Sequence, residues 1–113
     1  MKIMIVDDNK RMRETIKKVL EATRATFYQC DDGHDAVALY DEVHPDWLLM
    51  DIELKEFDGL RATEAIKRSH PDARIVMVTN YNDPEFRAEA QRLRTNGYVL
   101  KDHLLDLRAI VAA

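Results

Sequence analysis

The sequence of 113 residues contains little of several residue types that define particular protein classes. Its one cysteine, Cys30, cannot form an internal disulfide, and we expect it to fill space in a strand. Only three glycines and three prolines, beside 46% hydrophobic residues, argue against a disordered chain. No apolar run approaches the roughly 18 residues of a membrane span, and the start of the chain turns acidic too early for a secretory signal. We therefore expect a cytoplasmic protein without membrane contact.

The sequence also lacks an excess of positive charge. Seventeen Lys and Arg against 21 Asp and Glu give a formal net charge of -4. This balance does not supply the positive field that holds proteins on nucleic acid, so we expect DNA binding only through an output domain outside this sequence. The length suits one compact domain, and the prediction is a single domain over residues 1–113.

Five short apolar runs predict β-strands. Four of them are continuous rather than alternating, which is typical of strands covered on both faces of a parallel sheet. These four are Lys2–Val6, Asp46–Met50, Arg74–Val78 and Tyr98–Leu100. The fifth run, Thr26–Cys30, is more amphipathic and suits a position near an edge.

Segments with helical spacing of apolar residues lie between the strands and after the last one. The predicted helices are Asn9–Arg24 with Asn9 as its N-cap, Asp35–Val43, Gly59–Arg68, a helix opened by Asp83–Pro84 and closed by Asn96–Gly97, and Leu104–Ala113. Strand and helix alternate five times. With right-handed crossovers this order predicts a doubly wound α/β domain, a five-stranded parallel sheet flanked by five helices of the flavodoxin-like type.

Residues that follow the strands are of particular interest, because ligands of such sheets bind beyond the carboxyl ends of the strands. The residues there are Asp7 and Asp8 after the first strand, Asp51 after the third, Thr79 and Asn80 after the fourth, and Lys101 after the fifth. Each residue alone has an explanation as a helix cap or an exposed charge. Acidic residues after two central strands and a lysine after another favour one shared site.

The chemistry of this set favours magnesium and phosphoryl transfer. Two carboxylates about 4 Å apart repel by roughly 4 kcal/mol at an effective dielectric constant near 20, and Lys101 offsets only part of that repulsion. An oxygen-rich acidic cluster with room for water suits Mg²⁺, whereas zinc would call for clustered His and Cys. A carboxylate beside the metal can attack phosphorus to give an aspartyl phosphate, with ammonium and hydroxyl groups stabilising the phosphoryl oxygens.

Three tracts together resemble the receiver domain of bacterial two-component response regulators. Ile5–Asp8 resembles the family's acidic pair, Leu49–Ile52 followed by Asp58–Leu60 resembles its phosphoacceptor segment, and Gly97–Asp102 resembles its last strand. The resemblance runs from Lys2 to about Val111. It implies a signalling switch phosphorylated by a sensor histidine kinase, with homodimer formation on phosphorylation as a further expectation. It also implies that the domain catalyses only its own phosphotransfer and dephosphorylation and is not otherwise an enzyme.

The resemblance further implies a role for each residue of the set. Asp51 accepts the phosphoryl group, and the ligands of Mg²⁺ are Asp8, Asp51, the main-chain carbonyl of Glu53 and, through water, Asp7. Thr79 and Lys101 contact the phosphoryl group. In the family, a shift of the threonine hydroxyl is coupled to inward rotation of an aromatic ring at the position of Tyr98. The alternative for Tyr98 is a static core ring.

Several positions depart from the family pattern or tune it. Lys55 stands where proline is usual, Leu54 where methionine is common, and Asn80 where a small residue is normal. We expect a more mobile loop or an altered loop geometry around Lys55, and hindered phosphoryl access or slower hydrolysis from the bulk of Asn80. Glu53 and Tyr81 occupy the two variable places that tune dephosphorylation in the family.

The same tracts also bear on the output domain and on alternative functions of the chain. Asp102 follows Lys101 where many receivers have proline, a pattern similar to regulators with a LuxR-type helix-turn-helix output domain. The resemblance therefore implies the receiver part of a DNA-binding transcriptional regulator, with a stand-alone receiver or a non-phosphorylated receiver-like interaction module as alternatives. An aspartate-nucleophile phosphatase is a further alternative because Glu53 lies two residues after Asp51. A flavodoxin-like FMN binder is disfavoured because Asp7 and Asp8 would repel the flavin phosphate.

Overall fold

Five parallel strands form one sheet in the order β2-β1-β3-β4-β5. The computed structural model describes residues 1–54 and 57–113. The strands are β1 (Lys2–Val6), β2 (Thr26–Cys30), β3 (Trp47–Met50), β4 (Ile75–Thr79) and β5 (Gly97–Leu100). The continuous apolar runs of β3 and β4 are buried along their whole length, whereas β2 lies at an edge and is partly exposed, as the sequence predicted. This strand order is the flavodoxin-like one.

Helices cover both faces of the sheet. They are α1 (Lys10–Val19), α2 (Gly33–Val43), α3 (Gly59–Ser69), α4 (Pro84–Arg92) and α5 (Asp106–Ala112). Helices α1 and α5 pack on one face, where Ile16 and Leu107 join a hydrophobic cluster, and α2, α3 and α4 pack on the other, where Tyr40 and Ile66 belong to a second cluster. The predicted class, a doubly wound five-stranded α/β domain with five helices, is confirmed.

Several helix boundaries differ from the prediction, and side-chain hydrogen bonds explain two of them. Helix α2 begins at Gly33 rather than Asp35, because the Asp32 carboxylate accepts a hydrogen bond from the Asp35 main-chain N–H at 2.8 Å and caps the helix there. Helix α4 ends at Arg92 and not at Asn96–Gly97. The Asn96 side chain instead accepts a hydrogen bond from the Ile75 N–H at 3.0 Å, which joins it to the start of β4.

The other two differences arise from short 3-10 turns. Helix α1 ends at Val19, and a 3-10 turn over Glu21–Thr23 takes up most of the remaining predicted length. Helix α5 begins at Asp106 rather than Leu104, after a second 3-10 turn at Lys101–His103. Helical spacing alone does not distinguish an α-helix from a 3-10 turn that extends it.

Among the residues that the structure describes, three other than glycine have a left-handed backbone: Arg24 (φ 55), His44 (φ 50) and Arg94 (φ 61). Each lies directly after a helical segment or one residue beyond its cap. No glycine in the described part of the chain has a positive φ. Among the helices of residues 1–54 and 57–113, none is both long and apolar enough to cross a bilayer.

Candidate functional site

The carboxyl ends of the central strands bring Asp7 and Asp51 side by side. Val6 pairs with Met50 in the register of β1 and β3, and the Asp51 N–H donates to the Val6 carbonyl at 2.9 Å. The residues that follow this pair are therefore neighbours at one edge of the sheet. Asp7 is 1% exposed and Asp51 is 3% exposed, so both carboxyl groups lie in an environment that penalises charge.

Lys101 supplies the cation that faces these carboxylates. Its Nζ lies 2.8 Å from Asp7 Oδ2 and 3.2 Å from Asp51 Oδ2, and it donates a hydrogen bond to the latter. The 3-10 turn that starts at Lys101 directly after β5 holds the side chain over the end of the sheet. Asp7 and Asp51 together raise the pKa of Lys101 and outweigh the opposing effect of its burial, so the ammonium stays charged.

One positive charge does not fully offset the electrostatic cost of the two acids. Burial raises the pKa of Asp51 to about 6, the negative charge of Asp7 adds to the rise, and Lys101 opposes it. The contact between Lys101 and Asp7 is an ion pair rather than an aligned hydrogen bond. Asp7 Oδ2 is buried and has no hydrogen-bond partner among the described residues. Among the described residues, the Lys101 ammonium is thus the charge that faces this buried oxygen, and no hydrogen-bond donor satisfies it.

The acidic cluster has the composition that a hard divalent cation requires. Oxygen atoms of Asp7, Asp8 and Asp51 lie within 4.8 Å of one another, and Asp8 is exposed to solvent while the other two are buried. Carboxylates with access to water are the ligands that Mg²⁺ prefers. Asp7 Oδ2, buried with an ion pair to Lys101 but no aligned hydrogen bond, and the raised pKa of Asp51 both fit a cation at this place. The residues present therefore suit the ion that the sequence predicted.

Hydrogen bonds tie the residues directly after Asp51 to Asp51 itself and to the start of α3. Asp51 Oδ1 accepts a hydrogen bond from the Glu53 N–H at 3.3 Å, and the Gly59 N–H donates to the Ile52 carbonyl at 3.0 Å. A Cβ atom on Gly59 would lie 1.8 Å from the Asp51 carbonyl oxygen, so only glycine permits this approach of α3 to the site. Glu53 is exposed at the rim. The predicted departure at Lys55 lies outside the described residues.

Phe57 connects this segment to α2. Its ring stacks on His34 with the ring centroids 4.5 Å apart and the planes 11° from parallel, and the Arg61 guanidinium lies 5.1 Å from the ring centroid. Gly33 permits the close approach of the Phe57 main chain to α2, because a Cβ atom at position 33 would lie 1.8 Å from the Phe57 carbonyl oxygen. These contacts join Phe57 to the start of α2 and to Arg61 of α3.

Thr79 and Tyr98 are linked through the main chain of Tyr81. The buried Thr79 hydroxyl accepts a hydrogen bond from the Tyr81 N–H at 3.1 Å, and the Tyr98 hydroxyl donates to the Tyr81 carbonyl at 2.7 Å. The Arg87 guanidinium lies 4.4 Å from the centroid of the partly buried Tyr98 ring. Asn80, beside this link, is exposed to solvent. A displacement of the Thr79 hydroxyl would therefore act on Tyr81, the residue whose carbonyl holds the Tyr98 hydroxyl.

The hydroxyl of Tyr81 faces the acidic rim. Hydrogen bonding to Glu53 and the negative charges nearby raise the pKa of Tyr81. The two variable positions singled out in the sequence are thus close to each other above Asp51. Cys30, by contrast, has a thiol whose pKa burial and Asp32 raise to about 12, so it stays protonated and fills space as expected.

Sequence reasoning missed Arg13 and the part played by the Tyr81 main chain. The Arg13 guanidinium donates from Nη1 to the Asp7 carbonyl and from Nε to Gln29 Oε1. A basic residue four positions after the N-cap Asn9 is the only sequence signal for such a contact, and it is a weak one. Within the described residues, Asp7, Asp8, Asp51 and Lys101 come together as predicted, and Thr79 lies at the end of the neighbouring strand β4.

Comparisons with known proteins point to one family. The family model described as the response regulator receiver domain matches residues 3–112. The chain is 38% identical over 103 residues to the transcriptional regulatory protein YdfI of Bacillus subtilis, a match that covers 89% of this chain and 48% of that protein. It is 32% identical over 99 residues to the chemotaxis protein CheY of Halobacterium salinarum, a match that covers 88% of this chain and 82% of that protein.

A solved structure gives the same result. The two-component response regulator of the LuxR family from Aurantimonas sp. SI85-9A1 superposes with a TM-score of 0.85 at 30% identity, covering 98% of this chain and 84% of that one. The chain thus spans about half the length of the transcriptional regulator, at 48%, and most of the length of the chemotaxis protein, at 82%.

Proposed function

This chain belongs to the response regulator receiver domain family, and from that premise we propose that it is a phosphorylation-dependent signalling switch. Asp51 accepts a phosphoryl group from a sensor histidine kinase in the presence of Mg²⁺. The observation that supports this most is the environment of Asp51, which is buried at the end of β3 with Lys101 3.2 Å away and two further carboxylates within 4.8 Å.

Transfer to Asp51 is a displacement at phosphorus. A carboxylate oxygen of Asp51 forms a bond to phosphorus as the bond from phosphorus to the donor nitrogen breaks, and the released imidazole takes its proton from solvent. With a pKa of about 6, Asp51 is mostly ionised at neutral pH and hence nucleophilic. The hydrogen bond from the Glu53 N–H to Oδ1 orients the carboxylate.

Asp8, Asp51 and the Glu53 carbonyl would hold the metal, with Asp7 assisting through water. Mg²⁺, when bound, supplies positive charge that offsets the repulsion among the carboxylates and the incoming phosphoryl oxygens. Lys101 turns from Asp51 Oδ2 to a phosphoryl oxygen, and the Thr79 hydroxyl binds another. These two residues supply the stabilisation that comes from the protein itself.

Phosphorylation then reaches the surface through Tyr98. When Thr79 turns towards the phosphoryl group, its hydrogen bond from the Tyr81 N–H changes, and with it the carbonyl that anchors the Tyr98 hydroxyl. This rearrangement alters the surface formed by α4, β5 and α5, on which a second receiver could pair. We place homodimer formation on phosphorylation at this step.

The domain, over residues 1–113, is the receiver part of a DNA-binding transcriptional regulator. It works in the cytoplasm, contacts no membrane and reaches DNA only through an output domain. The likeness to a LuxR-family regulator and to a transcriptional regulator of about twice this length supports that assignment. A stand-alone receiver is the second candidate, because the chain spans 82% of the chemotaxis protein CheY of Halobacterium salinarum. Beyond its own phosphotransfer and dephosphorylation, it acts on no substrate.

Intact mass spectrometry after incubation with Mg²⁺ and a small acyl phosphate tests the proposal. We expect the mass of one phosphoryl group to be added to the wild type and none to Asp51→Asn. Asp102→Asn is the matched control, because it removes a neighbouring exposed carboxylate and should leave phosphorylation intact. A folded wild type that gains no phosphoryl group under these conditions, or an Asp51→Asn protein that still gains one, would overturn the proposal in favour of a non-phosphorylated interaction module or another phosphoacceptor.

A further inference from the structure

Arg13 is bound to the main chain of the acidic site from outside it. Its Nη1 donates to the Asp7 carbonyl at 2.5 Å, and its Nε donates to Gln29 Oε1 at 3.0 Å. We propose that Arg13 is a positioning residue for the metal-binding carboxylates, because it fixes the peptide that joins Asp7 to Asp8. This inference rests on the proposed function, in that it assigns Mg²⁺ to that site.

The planarity of the peptide group gives the contact its effect. The Asp7 carbonyl and the Asp8 N–H belong to one rigid plane, so holding the carbonyl oxygen also sets the direction in which Asp8 leaves β1. Asp8 is exposed, and among the described residues its carboxylate has no hydrogen-bond donor to hold it. The position of this ligand therefore depends on its main chain.

The rest of Asp7 is already fixed by other contacts. Its N–H donates to the Cys30 carbonyl at 3.2 Å, and its Oδ1 accepts from the Asn9 N–H at 2.8 Å. Arg13 completes this set by binding the carbonyl. The three contacts tie Asp7 to β2, to the start of α1 and to the body of α1, which leaves little freedom for the Asp7–Asp8 peptide.

Gln29 holds the other side of the guanidinium. It lies in β2, which pairs with β1, and its partner in the register is Ile5, two residues before Asp7. The planar guanidinium donates to both acceptors at fixed angles, which an ammonium group on a flexible chain does not reproduce. Arginine is therefore suited to this position for its shape as well as its charge.

The charge of Arg13 and its positioning role should change Mg²⁺ affinity in opposite directions. The direction of the change in an Arg13 variant therefore tests the inference. A cation bound to the main chain of the site repels Mg²⁺, so loss of the charge alone should strengthen metal binding. Loss of positioning should weaken it, and removal of a group that orients a metal ligand typically costs about tenfold or more in affinity. We expect the second effect to dominate.

Titration calorimetry with magnesium chloride on the whole chain separates the two effects. We expect Arg13→Met and Arg13→Lys each to weaken Mg²⁺ binding about tenfold, and Gln29→Leu to weaken it by a smaller factor. Arg11→Met is the matched control, because it removes the same charge from an exposed position of the same helix and should leave binding unchanged or slightly tighter.

Two further readouts separate positioning from a loss of fold. The rise in melting temperature at a fixed Mg²⁺ concentration should be smaller in the Arg13 variants than in the wild type. The Mg²⁺ concentration for half-maximal phosphorylation should rise about tenfold, while the rate at saturating Mg²⁺ stays close to that of the wild type. If Arg13→Met does not fold, the Mg²⁺ affinities of Arg13→Lys and Gln29→Leu are compared with that of the wild type instead.

The results distinguish failure of this inference from failure of the proposed function. A wild type that binds Mg²⁺ together with folded Arg13 variants that bind it equally or more tightly would overturn the positioning role and leave the switch intact. A folded wild type that binds no Mg²⁺ would overturn both. Weaker binding in Arg13→Met and Arg13→Lys, with Arg11→Met unaffected, supports the role of Arg13.

Discussion

Replacing Asp51 with asparagine should stabilise the domain in the absence of metal, and the gain should grow with pH. Burial and the neighbouring Asp7 raise the pKa of Asp51 from 3.8 to about 6, so the folded protein holds this proton more strongly than the unfolded chain. The stability contributed by the protonated carboxyl group is fully present below about pH 4 and is lost as the pH rises through 6. Above that range the full cost of the buried charge remains.

The magnitude follows from the two pKa values. At 1.36 kcal/mol for each tenfold change in the ionisation constant, the cost of ionised Asp51 reaches about 3 kcal/mol at pH 8. Asparagine does not ionise. The difference in free energy of unfolding between Asp51→Asn and the wild type should therefore rise by about 2 kcal/mol between pH 4 and pH 8. The change of this difference with pH tests the reasoning better than its value at one pH, because the substitution also removes a partner of Lys101 at every pH.

Urea unfolding in the presence of a chelator, followed by the fluorescence of the buried Trp47, measures this slope. Asp102→Asn is the control, since its side chain is 79% exposed and should give a difference that does not vary with pH. Saturating Mg²⁺ should raise the stability of the wild type more than that of Asp51→Asn. A difference for Asp51→Asn that stays constant from pH 4 to pH 8, or falls, would refute the electrostatic reasoning.

Three further substitutions test the surroundings of the site. Gly59→Ala should lower the free energy of unfolding by about 2 kcal/mol or more, because the new Cβ would lie 1.8 Å from the Asp51 carbonyl oxygen, whereas Gly97→Ala meets only side-chain atoms at 3.2 Å or more and should cost less. Equal losses in urea unfolding would contradict this. Lys101→Met should destabilise the metal-free protein at pH 8 by about 2 kcal/mol, with partial recovery in Mg²⁺, because it leaves two buried carboxylates without their cation. An unchanged midpoint of urea unfolding would show that the ion pairs do not contribute. Tyr98→Phe should cost about 1 kcal/mol through loss of one hydrogen bond, and an unaltered melting temperature would argue against that bond.

The acidic site could be predicted because it depends on a topological rule. Parallel strands end at the same edge, so residues directly after the apolar runs must come together, as Asp7, Asp51 and Lys101 do. That rule needs only the ends of the strands, which the apolar runs located to within about one residue. The roles of these residues in phosphorylation stay a prediction.

Contacts between helices and strands could not be predicted in the same way. Whether Arg13 reaches the Asp7 carbonyl depends on how far α1 lies from the sheet and on its rotation, which helical spacing does not specify. Asn96–Gly97 has the composition of a helix end, and that prediction was wrong because Asn96 binds the start of β4 instead. The link from Thr79 to Tyr98 uses main-chain atoms of Tyr81, so no residue type could have indicated it.

The scarcity of glycine leaves this domain with positions at which a single substitution could raise its stability. Gly33 and Gly59 occur where two backbones meet, while the left-handed conformations fall to Arg24, His44 and Arg94. A left-handed backbone costs such residues about 1–2 kcal/mol, and glycine would avoid that cost at the expense of about 0.5–1 kcal/mol of extra chain entropy. A lineage that acquired glycine at one of these three positions would gain stability far from the acidic site. It could then tolerate a destabilising change near Asp51 and keep its fold.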